Sequence, residues 1–206
     1  MLVDSHSHLF LEEFAEDLPF VMERARAAGV THIFMPNIDS TTIEPMLSVC
    51  DTYRDFCFPM IGLHPTSVNE SYEKELEIVA ANLETSGRFV AVGEIGIDLY
   101  WDKTWLKEQL IAFEKQVQWA LHYQLPIVIH CREAFDYIYK VLQPYKNSGL
   151  TGIFHSFTGT PGEAVRMMEF PGFKIGINGV VTFKKSTLPE TLKSVPLERI
   201  VLETDS

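Results

Sequence analysis

The chain has 206 residues, enough for one sizeable core, so residues 1–206 are expected to form a single domain. A net charge of −11 and a pI near 5.0 exclude a scaffold that grips nucleic acid through clustered lysine and arginine, and a phosphate polymer would need bound cations to be attracted. Nothing resembles a membrane span of about 18 apolar residues, the start Met1-Leu2-Val3-Asp4 is not a basic and then apolar leader, and Cys50, Cys57 and Cys131 are an odd set without paired metal spacing, so a cytoplasmic protein with reduced thiols is expected.

Compact apolar segments alternate with stretches of helical period. Leu2-Val3 leads to His6 and His8, Thr31–Met35 to Asn37, Cys57–Leu63 to His64, and Phe89–Gly93 to Glu94. Pro126–Ile129 reaches His130, Gly152–Phe154 reaches His155, Phe173–Ile177 reaches Asn178, and Ile200–Thr204 reaches Asp205. Between them, Leu18, Val21, Met22 and Ala25 predict a helix over Asp17–Ala28, and Leu76, Val79, Ala80 and Leu83 predict one over Tyr72–Leu83. Leu106, Leu110, Phe113, Val117, Ala120 and Leu121 bury one face of a third over Trp105–Leu121. Gly29 and Gly87 sit where helix stops belong, and Pro161 opens a further helix.

Steps of 23 to 36 residues separate successive endpoints from His8 to Asp205, close to the spacing of about 30 in a (β/α)₈ barrel. The strands read as continuous apolar runs, the pattern of parallel strands buried on both faces. A doubly wound open sheet is the main competitor, but no G-x-G-x-x-G follows the first strand. An α/β chain with a TIM-barrel fold is therefore expected, with its chemistry at the C-terminal ends of the strands.

Five of seven histidines, His6, His8, His64, His130 and His155, stand at those ends, and only His32 and His122 do not. His6 and His8, two apart, share a face if the strand continues, and an H-x-H pair can hold one metal ion. With Glu94 and Asp205 the ring mixes imidazole and carboxylate, a set suited to Zn²⁺, Mn²⁺ or a similar ion. So many donors exceed one tetrahedral site, and a carboxylate such as Glu94 can bridge two ions about 3.5–4 Å apart.

Asp4-Ser5-His6-Ser7-His8, Gly62-Leu63-His64-Pro65, Gly93-Glu94-Ile95-Gly96-Ile97-Asp98, His130-Cys131-Arg132-Glu133-Ala134, His155-Ser156-Phe157-Thr158-Gly159 and Glu203-Thr204-Asp205-Ser206 together resemble the ordered motifs of TatD-type metal-dependent deoxyribonucleases, in the amidohydrolase superfamily. The resemblance covers the whole chain. It implies two divalent ions (Mg, Mn or Zn), one held by His6, His8, Glu94 and Asp205 and the other by Glu94, His130 and His155. It implies DNA, or RNA, as substrate, with His64 at the rim contacting the scissile phosphate. Arg132 is a candidate phosphate contact or a structural partner of a carboxylate; Lys184 is a phosphate contact or a solvated charge. Asp98 is expected to orient a ligand, and Glu203 to tune the site or pair inside the barrel. Asp205 and Glu94 are the expected catalytic carboxylates, with Asp205 as general base toward an attacking water.

Tyr100 and Trp101 are read as rim packing or as base-stacking groups. The family continues beyond the position of Asp205, so the chain is expected to lack its final helices. The alternative activity is hydrolysis of a small amide, lactone or phosphate ester at the same ions, and a non-enzymatic alternative is a barrel that keeps the site for binding.

Overall fold

The computed structural model describes all 206 residues. Eight short parallel strands are laid down in chain order: β1 (Leu2–Asp4), β2 (Val30–Pro36), β3 (Cys57–Met60), β4 (Val92–Asp98), β5 (Ile127–Arg132), β6 (Gly152–Phe154), β7 (Phe173–Ile177) and β8 (Ile200–Leu202). Seven helices alternate with them: α1 (Leu18–Ala27), α2 (Ser40–Thr52), α3 (Tyr72–Ser86), α4 (Leu106–Tyr123), α5 (Phe135–Leu142), α6 (Pro161–Met168) and α7 (Leu188–Leu192). This is the (β/α)₈ order that the sequence rhythm predicts.

The ladders run β1-β2-β3 and β4-β5-β6-β7-β8. A single bridge, Ile61 with Val92, joins the two sheets on one side, where the Gly93 N–H also donates to the Ile61 carbonyl at 2.9 Å. On the other side β8 and β1 make no ladder, and individual bonds stitch the seam instead. The Ser5 N–H donates to Leu202 O at 3.1 Å and the Asp205 N–H to His6 O at 3.0 Å. The Asp4 carboxylate takes the Thr204 N–H at 3.0 Å and its hydroxyl at 2.7 Å. The seam thus brings Asp205 beside His6.

The predicted helices form for the reasons read from sequence. α1 carries Arg24 and Arg26 in its last turn, where cations complement the helix dipole, and the chain leaves it through Gly29 at φ +90°. Gly87 ends α3 in the left-handed conformation, and Thr160 caps α6 with Glu163 in a reciprocal box ahead of Pro161. α2 is unforeseen because Pro45 lies inside it. An Asp39–Thr42 capping box outweighs that one missing donor.

Three strand boundaries differ from expectation. β4 starts at Val92 and runs to Asp98 with every residue buried, so Glu94 lies within the strand and not at its end. β5 likewise continues through His130 to Arg132. β3 stops at Met60, short of the apolar run, because side chains take over its ladder. The Gly62 N–H donates to Asn37 Oδ1 at 2.8 Å and the Leu63 N–H to Gln116 Oε1 at 2.7 Å.

Gly96 allows β4 to lie against β5 at the site. Its φ is +145°, and a Cβ there would run into the His130 carbonyl oxygen. Gly96→Ala is expected to cost about 3 kcal/mol or more in urea unfolding, from backbone strain and displaced β5 together. A variant within about 0.5 kcal/mol of wild type would contradict this tight contact.

Candidate metal centre

His6 and His8 follow β1 and bring their Nε2 atoms within 3.1 Å of each other. His8 Nδ1 lies 3.1 Å from Pro36 O. A carbonyl only accepts, so neutral His8 carries its proton on Nδ1 and turns an Nε2 lone pair toward His6. At this distance the pair can share a hydrogen bond, or both nitrogens can face one cation.

Glu94 is the hub. Its Oε2 lies 3.2 Å from His6 Nε2 and 3.6 Å from His8 Nε2, while its Oε1 lies 2.8 Å from His130 Nδ1, 3.4 Å from His64 Nε2 and 3.8 Å from His155 Nε2. All five strand-end histidines therefore face one buried carboxylate, two on one oxygen and three on the other. Burial pushes the Glu94 carboxyl up, but the neighbouring His64, His6 and His155 and the His130 hydrogen bond outweigh it and hold it well below the usual range. Asp205 comes in from beyond β8 with its Oδ1 3.2 Å from His155 Nε2.

Three sets of donors converge within 4.8 Å: His6, His8 and Asp205; His64, Glu94 and His130; His6, His155 and Glu203. Imidazole nitrogen mixed with carboxylate oxygen is the donor chemistry of borderline divalent ions, and the crowding of lone pairs on Glu94 fits a cation there. The Nδ1 atoms of His6 and His155 are buried without a hydrogen-bond partner, although Glu203 Oε1 stands 3.2 Å from His155 Nδ1, off the line a hydrogen bond needs.

The histidines differ in charge state. Burial, opposed mainly by Glu94, drives His6 down to about 4, leaving it neutral and ready to donate a lone pair. For His130, burial is outweighed by hydrogen bonds to Asp98 and Glu94, and its pKa rises to about 9. For His155, burial is likewise outweighed by Glu94, Asp205 and Glu203, and the value rises to about 10.

The surrounding residues hold these groups still. Asp98 Oδ2 lies 2.8 Å from His130 Nε2, and Gln109 of α4 clamps Asp98 by accepting its N–H at 2.9 Å and donating to its carbonyl at 3.2 Å. Gln116, two turns on, does the same for Leu63, next to His64. Glu203 accepts from the Ser5 hydroxyl and from the Ser156 N–H beside His155. Ser156 and Asp205 are non-glycine residues at φ +44° and +59°, a cost that surrounding contacts must offset.

His64 stands deeper than the rim expected of it, within 3.3 Å of His130 Nδ1. Arg132 is exposed beside the site, its guanidinium 3.7 Å above the Tyr100 ring and without a carboxylate in ion-pair range. Lys184 is exposed and outside the cavity. Asn37, a predicted strand end, is a buried clamp on Gly62, and Asn178 bonds to Ser156. Gln109 and Gln116 went unread in the sequence. Their signal was two glutamines seven apart on the apolar stripe of α4.

A cavity of about 380 Å³ opens over these donors, lined by His8, His64, Glu94, His130, Arg132, His155 and Asp205 among others. A larger one, about 680 Å³, runs along Val30, Val90, Pro126 and Ile153, is mainly apolar and holds no histidine. Donor chemistry, not size, locates the site.

Residues 3–206 match the family described as TatD related DNase. The chain is 35% identical to the uncharacterized metal-dependent hydrolase YabD of Bacillus subtilis, over all of this chain and 80% of that protein. It is 32% identical to the 3'-5' ssDNA/RNA exonuclease TatD of a Pantoea species, over all of this chain and 79% of that protein. The crystal structure of YjjV, a TatD homolog from Escherichia coli, superposes with a TM-score of 0.91 at 30% identity, covering 99% of this chain and 78% of that one.

Because ligation needs imidazole lone pairs, the protons on His130 and His155 compete with any cation. Apparent affinity for Mn²⁺ or Zn²⁺ is expected to rise from pH 6 toward 9–10, by up to about tenfold per pH unit for each proton released. In chelator the sign reverses for stability. Both pKa values are raised on folding, so their contribution is complete below about 6.5 and fades as pH passes through about 9 and then 10. Calorimetric titration in buffers of different ionisation heat measures the proton release, and pH-independent binding would contradict it.

Proposed function

The chain belongs to the TatD-related DNase family, and on that footing we propose that it hydrolyses phosphodiester bonds at the end of single-stranded DNA or RNA. It is a metal-dependent hydrolase of ester bonds. One observation carries the proposal: a buried carboxylate faced by five imidazoles at the strand ends of a barrel, under an open cavity.

Two divalent ions are proposed: His6, His8, Glu94 and Asp205 would hold one, and Glu94, His130 and His155 the other. The nitrogen-rich donor set suits Zn²⁺ or Mn²⁺ better than Mg²⁺. Such ions supply an activated water and offset charge on the phosphoryl oxygens.

The protein's own residues do the rest. Burial raises Asp205, but its contacts with His155 outweigh that and lower its pKa, so the carboxylate is ionised and able to take the proton of the attacking water. The bond from its N–H to His6 O fixes it beside the first pair of histidines. His64 and Arg132 line the cavity and would contact the phosphate, Arg132 through a guanidinium free of carboxylate partners. The acidic chain, at −11, repels long polyanions, which favours short or single-stranded substrates. Residues 1–206 supply all these groups and are proposed as one catalytic domain. No helix is long and apolar enough to cross a membrane, and the free thiols Cys50, Cys57 and Cys131 fit work in the cytoplasm.

A labelled single-stranded oligonucleotide digested with Mn²⁺, Zn²⁺ or Mg²⁺ tests this reading. Wild type should shorten it from an end. Asp205→Asn should fold and lose about 10²- to 10⁴-fold in kcat, and a His6→Ala/His8→Ala variant should lose cleavage and metal binding together. Near-normal turnover by folded Asp205→Asn would remove the general base. Hydrolysis of lactones or amides without any cleavage of oligonucleotides would assign the site to a small-molecule substrate.

A further inference from the structure

We propose that Tyr100 and Trp101, bridged to the site by Arg132, form a shelf on which the base of a strand-end nucleotide stacks. The proposal rests on the phosphodiesterase reading and adds to it how an unpaired base is recognised.

The shelf belongs to the segment leaving β4. Tyr100 is anchored there, its N–H donating to Asp98 Oδ1 at 2.9 Å, and Asp98 in turn holds His130. Tyr100 and Trp101 meet edge to face, with centroids 4.8 Å apart and planes at 88°. Trp101 is 73% exposed, more than any other aromatic side chain, and Tyr100 is 49% exposed. The rings do not line the cavity themselves but lie against Arg132, which does, and exposed indole and phenol rings side by side offer the flat apolar faces that nucleobases stack on without regard to sequence.

Arg132 connects the shelf to the donors. It lines the same cavity as Glu94, His130 and His155, while its Cζ lies 3.7 Å from the Tyr100 centroid and 5.6 Å from that of Trp101. No carboxylate lies within ion-pair distance of it, so its N–H groups are free for a phosphate while its Cζ stays over the Tyr100 ring. One side chain thus spans from phosphate to base. A base inside a duplex has both faces covered by neighbours, whereas an unpaired terminal base has a face to give. The shelf would therefore select strand ends and single strands.

The bland competitor is that both rings merely hold Arg132 by cation–π contact, and base dependence separates the two. Wild type, Trp101→Ala, Trp101→Phe and Tyr100→Ala are compared on an oligonucleotide and on its counterpart lacking the terminal bases at both ends. Wild type should prefer the base-bearing substrate by about tenfold in kcat/KM. That ratio should fall toward one in both alanine variants, mainly through KM, and Trp101→Phe should keep most of it. A wild-type ratio near one, or a ratio unmoved in the alanine variants, overturns the shelf. A second readout does not need turnover: in an Asp205→Asn background, oligothymidylate should quench tryptophan fluorescence, and Trp101→Phe should abolish most of that quench. Equal quenching in both overturns the proposal. If wild type cleaves neither oligonucleotide, the phosphodiesterase reading fails, and the quench alone decides whether bases stack here.

Discussion

Everything at this site depends on one buried carboxylate having enough imidazole partners. Removing Glu94 from water is costly unless charge and hydrogen bonds compensate for it, and the compensation comes from five histidines in or just after four strands, β1, β3, β5 and β6. No single strand could supply them. The barrel is the device that does, because parallel strands in a ring point their C-terminal ends at one axis. The seam between β8 and β1 then matters more than its few hydrogen bonds suggest. It sets Asp205 beside His6, so the contacts that draw β8 toward β1 also bring a carboxylate to the first pair of histidines.

The supporting residues show how finely the positions are held. α4 runs behind β4 and β3 and offers two glutamines where its stripe would otherwise be apolar, Gln109 to Asp98 and Gln116 to Leu63. Each gives and takes a backbone hydrogen bond, the work of a neighbouring strand done by a side chain. Just past β8, Glu203 only accepts, from the Ser156 N–H, and so holds the turn that carries His155. Protons balance the charge where no cation does. His130 and His155 are held in the charged form by the same carboxylates that would share a cation with them, whereas His6 is too buried to charge. A cation bound here would have to displace those protons, which would tie its affinity to pH.

Much of this was legible in the sequence, for reasons that also mark where legibility ends. Continuous apolar runs, six of the eight ending on a histidine or carboxylate and two on an asparagine, marked the strand order and the ring. Periodic stripes gave α1, α3 and α4. Pro45 hid α2, because local capping by Asp39 and Thr42 outweighed a breaker. Glu94 was expected at a strand end, and its place inside β4 is set by neighbours on other strands that no local pattern reveals. The depth of His64 follows from the shortening of β3, which Asn37 and Gln116 impose from distant parts of the chain. Such long-range substitutions of side chain for ladder leave only a faint trace, a polar residue on an apolar stripe.

On the reading proposed above, Glu94 would be shared by two cations. Crystals soaked in Mn²⁺ and measured at the manganese absorption edge test it most directly. The account predicts two anomalous peaks about 3.5–4 Å apart on either side of the Glu94 carboxylate, one within bonding distance of His6 and His8 and the other of His130. Ions bound elsewhere in the barrel, or a Glu94 carboxylate with no ion beside it at saturating Mn²⁺, would contradict it.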